Sequence, residues 1–287
     1  MLKFWAPAKI NLALHVTGQR ADGYHLIDTL VTFADFGDEL SFAASQKDEL
    51  LLSGPFAGQL EGQDPQSNLV SKARDLLRDL AQGRPCPPVA IHLTKNLPVA
   101  SGLGGGSSDA AAALRGLCEF WGLSRPDLGK AALALGADVP MCLAGTPLRA
   151  GGIGEELALV PKFPALNLVL ANPGVAVSTP QIFASLTKKD NRPLSPLPNL
   201  SSIHAAVEWL AAQRNDLQAA AVQAQPAISE CLFALKSSGA MLARMSGSGA
   251  TCFGIFASHD SAARAVKAIS GARRDWFAAA VTCGGAK

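Results

Sequence analysis

Apolar and polar residues alternate along residues 9–16, in the segment "KINLALHV". A period of two is that of a β-strand, so this segment is predicted to be a strand. The alternation places Lys9 and Asn11 side by side on the more polar of its two faces. Similar patterns predict further strands in the first half of the chain, at 29–34, 39–43 and 89–94.

Apolar residues spaced by three and four predict helices at 68–80 and 107–121, the second stopped by Gly122. A further helix, opened by Ser124 and Pro126 and closed by Gly136, leads into "ADVPM". After residue 160 the patterns predict strand 166–171, helical stretches within 180–224, helix 228–237, strands 241–245 and 251–256, helix 260–269 and strand 275–282. This order is that of a split βαβ, ferredoxin-like layer.

A glycine-rich segment, "LPVASGLGGGSSDAAAALRGL", joins the strand at 89–94 to the helix at 107–121. Unpaired N–H groups and the positive end of the helix dipole meet there, and glycine lets an anion approach the backbone. The segment therefore predicts a phosphate-binding loop. It lacks the lysine of a Walker loop and the third glycine of a dinucleotide fingerprint. The hydroxyls of Ser107 and Ser108 are available to cap the helix, or to face a phosphate or a metal ion.

Composition and charge narrow the class of protein. The 287 residues are 48% hydrophobic and 17% charged with a net charge of +2, which predicts a well-cored globular protein without a nucleic-acid-binding stripe. No apolar run reaches membrane length, and Lys9 interrupts the apolar start, so neither a membrane span nor a signal peptide is predicted. The six cysteines form no metal-binding spacing, which favours reduced thiols and a cytoplasmic location.

Two residues are candidates for the chemistry itself. Asp138 follows a helix in apolar surroundings, and Lys9 lies in an apolar strand. Taken alone, Asp138 is explained as a carboxylate that accepts hydrogen bonds from nearby N–H groups. Lys9 alone is explained as a lysine that protects a strand edge from aggregation. Beside a phosphate loop they favour phosphoryl transfer, in which an aspartate handles the attacking hydroxyl and a lysine stabilises charge.

Three segments resemble the signature motifs of the GHMP small-molecule kinases: "PAKINLALHVTGQRADGYH", "PVASGLGGGSSDAA" and "MSGSGATCFGIF". Together with "LGADVPMCLAG", they span residues 7 to about 256 in the family's order. The resemblance implies a two-domain α+β fold, with a ribosomal-protein-S5-domain-2-like layer in an N-terminal domain (1–158) and a ferredoxin-like layer in a C-terminal domain (159–287). The ATP loop and the catalytic pair are expected in the first domain.

The first motif resembles the corresponding motif of the GHMP kinases that act in the non-mevalonate isoprenoid pathway. The resemblance implies ATP-dependent phosphorylation of the 2-hydroxyl of 4-diphosphocytidyl-2-C-methyl-D-erythritol. It implies that Tyr24 stacks on the cytosine, that His25 reads its edge, and that Phe183 covers its other face. The site residues that it implies are the catalytic Lys9 and Asp138, the substrate-binding Asn11, Tyr24, His25 and Phe183, and the ATP-binding Pro98, Val99, Ala100, Ser101, Gly102, Leu103, Gly104, Gly105, Gly106, Ser107 and Ser108.

The expected cofactor is ATP with Mg²⁺, which Ser107 or Ser108 could reach, although no acidic cluster marks the metal site. The expected partners are small-molecule substrates, with no nucleic acid and no membrane. Two alternatives stay open: a GHMP kinase with another acceptor, such as homoserine or mevalonate, and a ligand sensor without catalysis. The Tyr24-His25 pair favours an acceptor that contains a base over homoserine or mevalonate. The intact Lys9, Asp138 and glycine loop argue against a sensor without catalysis.

Overall fold

The computed structural model describes residues 2–81, 83–123, 128–200 and 202–285. The strands are β1 (Leu2–Gln19), β2 (His25–Ala44), β3 (Glu49–Ser53), β4 (Val89–Thr94), β5 (Leu148–Gly151), β6 (Glu156–Leu159), β7 (Leu166–Asn172), β8 (Leu242–Met245), β9 (Cys252–Phe256) and β10 (Phe277–Cys283). The α-helices are α1 (Leu69–Leu80), α2 (Gly105–Phe120), α3 (Leu128–Leu135), α4 (Val139–Ala144), α5 (Thr179–Ala184), α6 (Ile203–Ala211), α7 (Gln218–Ala224), α8 (Ala227–Ser237) and α9 (His259–Ala272).

The chain forms two compact units, each discontinuous in sequence. The first comprises Met1–Ala8, Gly37–Val99 and Gly104–Gly145, and the second comprises Lys9–Phe36, Ala100–Leu103 and Thr146–Lys287. Strands β1 and β2 and the glycine-rich segment each contribute residues to both units. The domain boundary predicted between residues 158 and 159 stays a prediction.

The second unit contains the predicted ferredoxin-like layer. Its antiparallel strands lie in the order β10-β7-β9-β8, with Ala280 opposite Val169 and Val169 opposite Gly254. Helices α8 and α9 pack against this sheet, and Ile228 and Ile269 belong to the buried core. The predicted order of strand, helical connection, two strands, helix and strand is confirmed.

In the first unit, residues 39–44 of β2 pair antiparallel with β4, and β3 pairs parallel with β4. Helices α1 and α2 pack together, and the Asn68 side chain caps α1 by accepting a hydrogen bond from the Val70 N–H at 2.9 Å. The segments 29–34 and 39–43, predicted as separate strands, are parts of the single strand β2. The predicted start of α3 at Ser124 and Pro126 lies outside the described residues.

Helix α2 begins earlier than the apolar pattern predicts. Gly104 is its N-cap, in the left-handed region at φ 62°, and no side chain caps the helix there. Of the roles open to the Ser107 and Ser108 hydroxyls, capping of α2 is therefore excluded, because both residues lie within its first turns. The helix is opened by backbone geometry that glycine adopts without strain.

Both faces of β1 are buried over residues 8–16, and the polar residues there are hydrogen-bonded rather than solvated. His15 is 1% exposed; its Nδ1 lies 3.0 Å from the Arg192 carbonyl oxygen, and its Nε2 accepts a hydrogen bond from the Arg214 N–H at 3.0 Å. This pattern requires the neutral ring with the proton on Nδ1. Burial lowers the pKa of His15 from its usual 6.5.

We expect the free energy of unfolding to fall as the pH drops below about 6.5. In that range the unfolded chain binds a proton at residue 15 that the folded chain excludes, because its folded pKa is depressed. The variant His15→Gln should have a smaller loss of stability between pH 7.5 and 5.5, measured by urea unfolding. The exposed His204 supplies the control, since His204→Gln should keep the wild-type pH dependence. Equal pH dependence in His15→Gln and the wild type would contradict the assignment.

Candidate active site

Lys9 and Asn11 lie together in the second unit, as the alternation predicts. The Lys9 Nζ donates to Asn11 Oδ1 at 3.1 Å, and Asn11 Nδ2 donates to Thr29 Oγ1 at 2.8 Å. Lys9 is 3% exposed and Asn11 2%. A lysine that protects a strand edge is exposed, so that alternative for Lys9 is wrong. The two bonds fix the amide orientation of Asn11 and hold the ammonium group in one place.

The same unit brings residues from all three predicted motifs into contact. The Asn11 N–H donates to Ser246 Oγ at 3.1 Å, and Ser246 Oγ donates to the Gly102 carbonyl oxygen at 2.8 Å. The Lys9 N–H donates to the Leu103 carbonyl oxygen at 2.8 Å. One serine therefore joins the lysine strand to the first part of the glycine-rich segment.

Gly102 and Asn215 show how closely the backbone is packed at this place. Gly102 has a φ of 80°, and a Cβ there would lie 2.3 Å from the Ser246 carbonyl oxygen. Asn215 Nδ2 donates at 2.8 Å to both the Met245 and the Gly247 carbonyl oxygens, which holds the third motif in shape. The sequence gives no periodic signal for Asn215, because it lies in an irregular stretch between helices.

In the first unit, Gly104 and the first turn of α2 have the geometry expected of an anion site. The first N–H groups of a helix have no intrahelical partner and carry the positive end of its dipole. Ser108 is fully buried and its hydroxyl donates to the Pro7 carbonyl oxygen at 2.7 Å, so that group is already engaged within the protein. Ser107 is half-buried, which leaves its hydroxyl as the more accessible of the two.

A buried ion cluster that the sequence does not predict lies beside this turn. Lys95 Nζ contacts Asp38 Oδ2 and lies 2.7 Å from Asp109 Oδ2, and all three residues are at most 3% exposed. Burial raises the pKa of Asp109 to about 8, against the opposing charge of Lys95. Burial lowers the pKa of Lys95, but its two carboxylate neighbours outweigh that effect and raise it overall. Asp109 Oδ1 is buried without a hydrogen-bond partner in the described part of the chain.

Asp138 occupies the N-cap position of α4 and is half-buried. Its carbonyl oxygen accepts the first hydrogen bond of that helix, from the Cys142 N–H at 3.1 Å, and its side chain makes no capping bond. The Asp138 side chain therefore does not cap α4. Asp138 belongs to the first unit and Lys9 to the second, and their action as a catalytic pair stays a prediction.

The residues predicted to hold a base lie in the second unit. Tyr24 is 59% exposed, and its backbone is fixed by the Asp22 side chain and by a 2.8 Å bond from the Arg20 N–H to its carbonyl oxygen. The rings of His25 and Phe183 lie 4.9 Å apart. His25 Nε2 is buried with no hydrogen-bond partner among the described residues. Burial, and next the charge of Lys189, lower the pKa of His25, which favours the neutral ring.

Among the residues that the structure describes, no group of three or more His, Cys, Asp or Glu side chains is placed to hold a metal ion. No helix in the described part of the chain combines the length and the apolar character needed to cross a membrane.

Family models match two parts of the chain: the GHMP kinases N terminal domain over residues 68–146, and the GHMP kinases C terminal domain over residues 194–273. The chain is 54% identical over 277 residues to the 4-diphosphocytidyl-2-C-methyl-D-erythritol kinase of Mesorhizobium japonicum, covering 96% of this chain and 93% of the relative. It is 58% identical over 277 residues to the enzyme of that name from Rhizobium leguminosarum, covering 95% and 91%.

Solved structures agree with these matches. A crystal structure of 4-(cytidine 5'-diphospho)-2C-methyl-D-erythritol kinase superposes with a TM-score of 0.81 at 32% identity and covers 99% of both chains. Homoserine kinase from Cytophaga hutchinsonii superposes with a TM-score of 0.66 at 18% identity, covering 98% of this chain and 93% of that one, which shows a shared fold.

We expect Gly102→Ala to lower the free energy of unfolding by about 1–3 kcal/mol, because the new Cβ meets a backbone oxygen at a positive φ. Gly271→Ala is the matched control, since a Cβ there meets nothing within 4 Å and the residue lies in α9. Alanine should stabilise that helical position by about 0.5–1 kcal/mol. Chemical denaturation measures both, and a Gly102→Ala protein as stable as the wild type would show that the close approach is not rigid.

Proposed function

The chain belongs to the GHMP kinases, in the family of 4-diphosphocytidyl-2-C-methyl-D-erythritol kinases, and we propose that it transfers the γ-phosphoryl group of ATP to the 2-hydroxyl of 4-diphosphocytidyl-2-C-methyl-D-erythritol. The observation that carries this proposal is the likeness, over nearly the whole chain, to relatives named for that acceptor. The His25 and Phe183 rings and the exposed Tyr24 support it, because an unstacked base needs aromatic faces and an edge-reading group.

In this mechanism the hydroxyl oxygen of the acceptor attacks the γ-phosphorus, and the bond from that phosphorus to the bridging oxygen of ADP breaks. Asp138, which is half-buried at the N-cap position of α4, accepts the hydroxyl proton as the general base. Lys9 stabilises the negative charge that develops on the transferred group. Asn11 holds the Lys9 ammonium in position through the 3.1 Å contact. The buried surroundings of Lys9 strengthen its electrostatic effect, since little water screens the charge.

ATP binding is assigned to residues 98–108, with the phosphates at the first turn of α2. The left-handed Gly104 and the N-terminal N–H groups of that turn supply the anion site. Mg²⁺ in kinase sites is held largely by phosphate oxygens and water, with one or two protein ligands. The half-buried Ser107 hydroxyl fits that role, and a bound Mg²⁺ would neutralise charge on the ATP phosphates.

We also propose a cytoplasmic location and small-molecule partners for this enzyme. None of the six cysteines, all of which lie in the described residues, forms a disulfide, which fits a reducing, cytoplasmic location. The small net charge of +2 fits an enzyme of small-molecule substrates rather than a nucleic-acid- or membrane-binding protein.

The test of the function is turnover with ATP and 4-diphosphocytidyl-2-C-methyl-D-erythritol, with homoserine and mevalonate as control acceptors. Turnover of a control acceptor but not of the cytidyl compound would overturn the proposal.

We expect Asp138→Asn to reduce kcat by roughly 10²–10⁴-fold, the usual contribution of a positioned acid–base group, while ATP affinity stays near the wild-type value. Lys9→Ala should cause a loss of similar size, mostly in kcat, because the charge it meets develops during transfer. Steady-state kinetics and ATP titration separate the two effects. Turnover within a few-fold of the wild type in either variant would remove that residue from the mechanism.

We expect Tyr24→Ala to weaken acceptor binding by roughly ten- to a hundredfold, because stacking on a base is worth about 1–3 kcal/mol. The KM for ATP should change little, and Tyr24→Phe should be mild because the ring face is kept. Since Tyr24 is 59% exposed, the unfolding midpoint of Tyr24→Ala should stay near that of the wild type. A Tyr24→Ala protein that is destabilised but binds the acceptor normally would make Tyr24 a packing residue.

A further inference from the structure

Lys189 lies next to the residues proposed to hold the base, on the irregular segment that follows α5. Its Nζ donates to Gln19 Oε1 at 3.0 Å, and Gln19 Nε2 donates to the Gly23 carbonyl oxygen at 3.0 Å. Gly23 directly precedes Tyr24, so this chain of two hydrogen bonds links Lys189 to the Tyr24 turn. Phe183 belongs to α5, which directly precedes the segment that carries Lys189.

The charge of Lys189 is not neutralised within the described part of the chain, where it forms no ion pair with a carboxylate. Its partner Gln19 is neutral. Arg20, which is hydrogen-bonded to the Tyr24 carbonyl oxygen, is paired with Asp22 at 2.7 Å. The charge of Lys189 also acts on His25, whose pKa it lowers together with burial. A half-buried ammonium group with a neutral partner is thus left beside the base-binding residues.

We infer that Lys189 binds the phosphate attached to the cytidine of the acceptor, and so selects a nucleoside diphosphate over a nucleoside. This inference rests on the proposed function, which places the cytosine at Tyr24, His25 and Phe183. A phosphate joined to the 5' carbon of that nucleoside lies one ribose away from the base. Lysine serves as a compact point charge for phosphate oxygens, and its flexible stem lets Nζ exchange Gln19 for a phosphate oxygen.

In the competing explanation, the role of Lys189 is structural: it holds the Tyr24 turn in place through Gln19 and does not contact the phosphate. A structural tie would support every ligand of the base site equally. A phosphate contact supports only ligands that carry the phosphate. The ratio of the affinities for cytidine 5'-diphosphate and for cytidine therefore separates the two roles.

The test measures the binding of cytidine 5'-diphosphate and of cytidine by calorimetry. In Lys189→Ala the affinity for the diphosphate should fall about tenfold, the usual size for one charged hydrogen bond, while the affinity for cytidine stays within twofold. Lys189→Arg should keep most of the diphosphate affinity. Lys188→Ala is the matched control, because Lys188 is the exposed neighbour with the same charge, and it should change neither affinity.

Gln19→Ala supplies a second control, since it removes the tie to the Tyr24 turn and keeps the Lys189 charge. It should leave the ratio of the two affinities unchanged. A parallel loss of both affinities in Lys189→Ala, an unchanged ratio, or an equal effect of Lys188→Ala would overturn the inference and leave the proposed function standing. If the wild-type protein binds neither cytidine nor its diphosphate, the proposed function fails and the inference fails with it.

Discussion

The buried ion cluster of Lys95, Asp38 and Asp109 is the constraint on which the first unit depends. It joins three elements, because Asp38 lies on β2, Lys95 follows β4, and Asp109 lies in α2. Asp38 also accepts hydrogen bonds from the Asn96 and Leu97 N–H groups at 2.6 and 2.9 Å, where the chain leaves β4. Removing one member of such a cluster leaves a buried charge unpaired, at a typical loss of about 3–5 kcal/mol.

This cluster also fixes the place of the phosphate-binding turn. A Cβ at Gly105 would lie 3.4 Å from Lys95 Nζ, so the first residue of α2 rests directly on the cluster. The other part of the glycine-rich segment is fixed in the second unit by the Ser246 hydroxyl and by the bond from Lys9 to Leu103. Both ends of the segment therefore have defined partners, and the flexibility that its glycines would allow in isolation is lost. Glycine is needed here for close backbone approach and positive φ rather than for motion.

Local patterns predicted most of the strands and helices, including the strand that carries Lys9 and Asn11, and non-local pairing explains most of what they missed. The ferredoxin-like order, the strand of Lys9 and the helix after the glycines all follow from periods of two and of three to four residues. Strands β5 and β6 have four residues each, too few to show a period. Asp38 and Lys95 are 57 residues apart, and no pattern in one sequence pairs them. At α2 the left-handed Gly104 occupies the N-cap position, so the serines are not needed as side-chain caps.

Three buried side-chain polar atoms in the described residues lack hydrogen-bond partners: His25 Nε2, Thr32 Oγ1 and Asp109 Oδ1. For His25 and Asp109 the cost of the missing partner is reduced in different ways. An unpaired buried group costs about 1–3 kcal/mol, and more when it is charged. The raised pKa of Asp109 makes its neutral form more accessible than that of an ordinary aspartate, which lowers the cost without any ligand. The lowered pKa of His25 already favours its neutral ring. A change of protonation therefore does not reduce the cost of its unpaired Nε2. Its Nε2 is satisfied only by a hydrogen-bonding group from outside the described chain, and the edge of a base stacked nearby carries such groups.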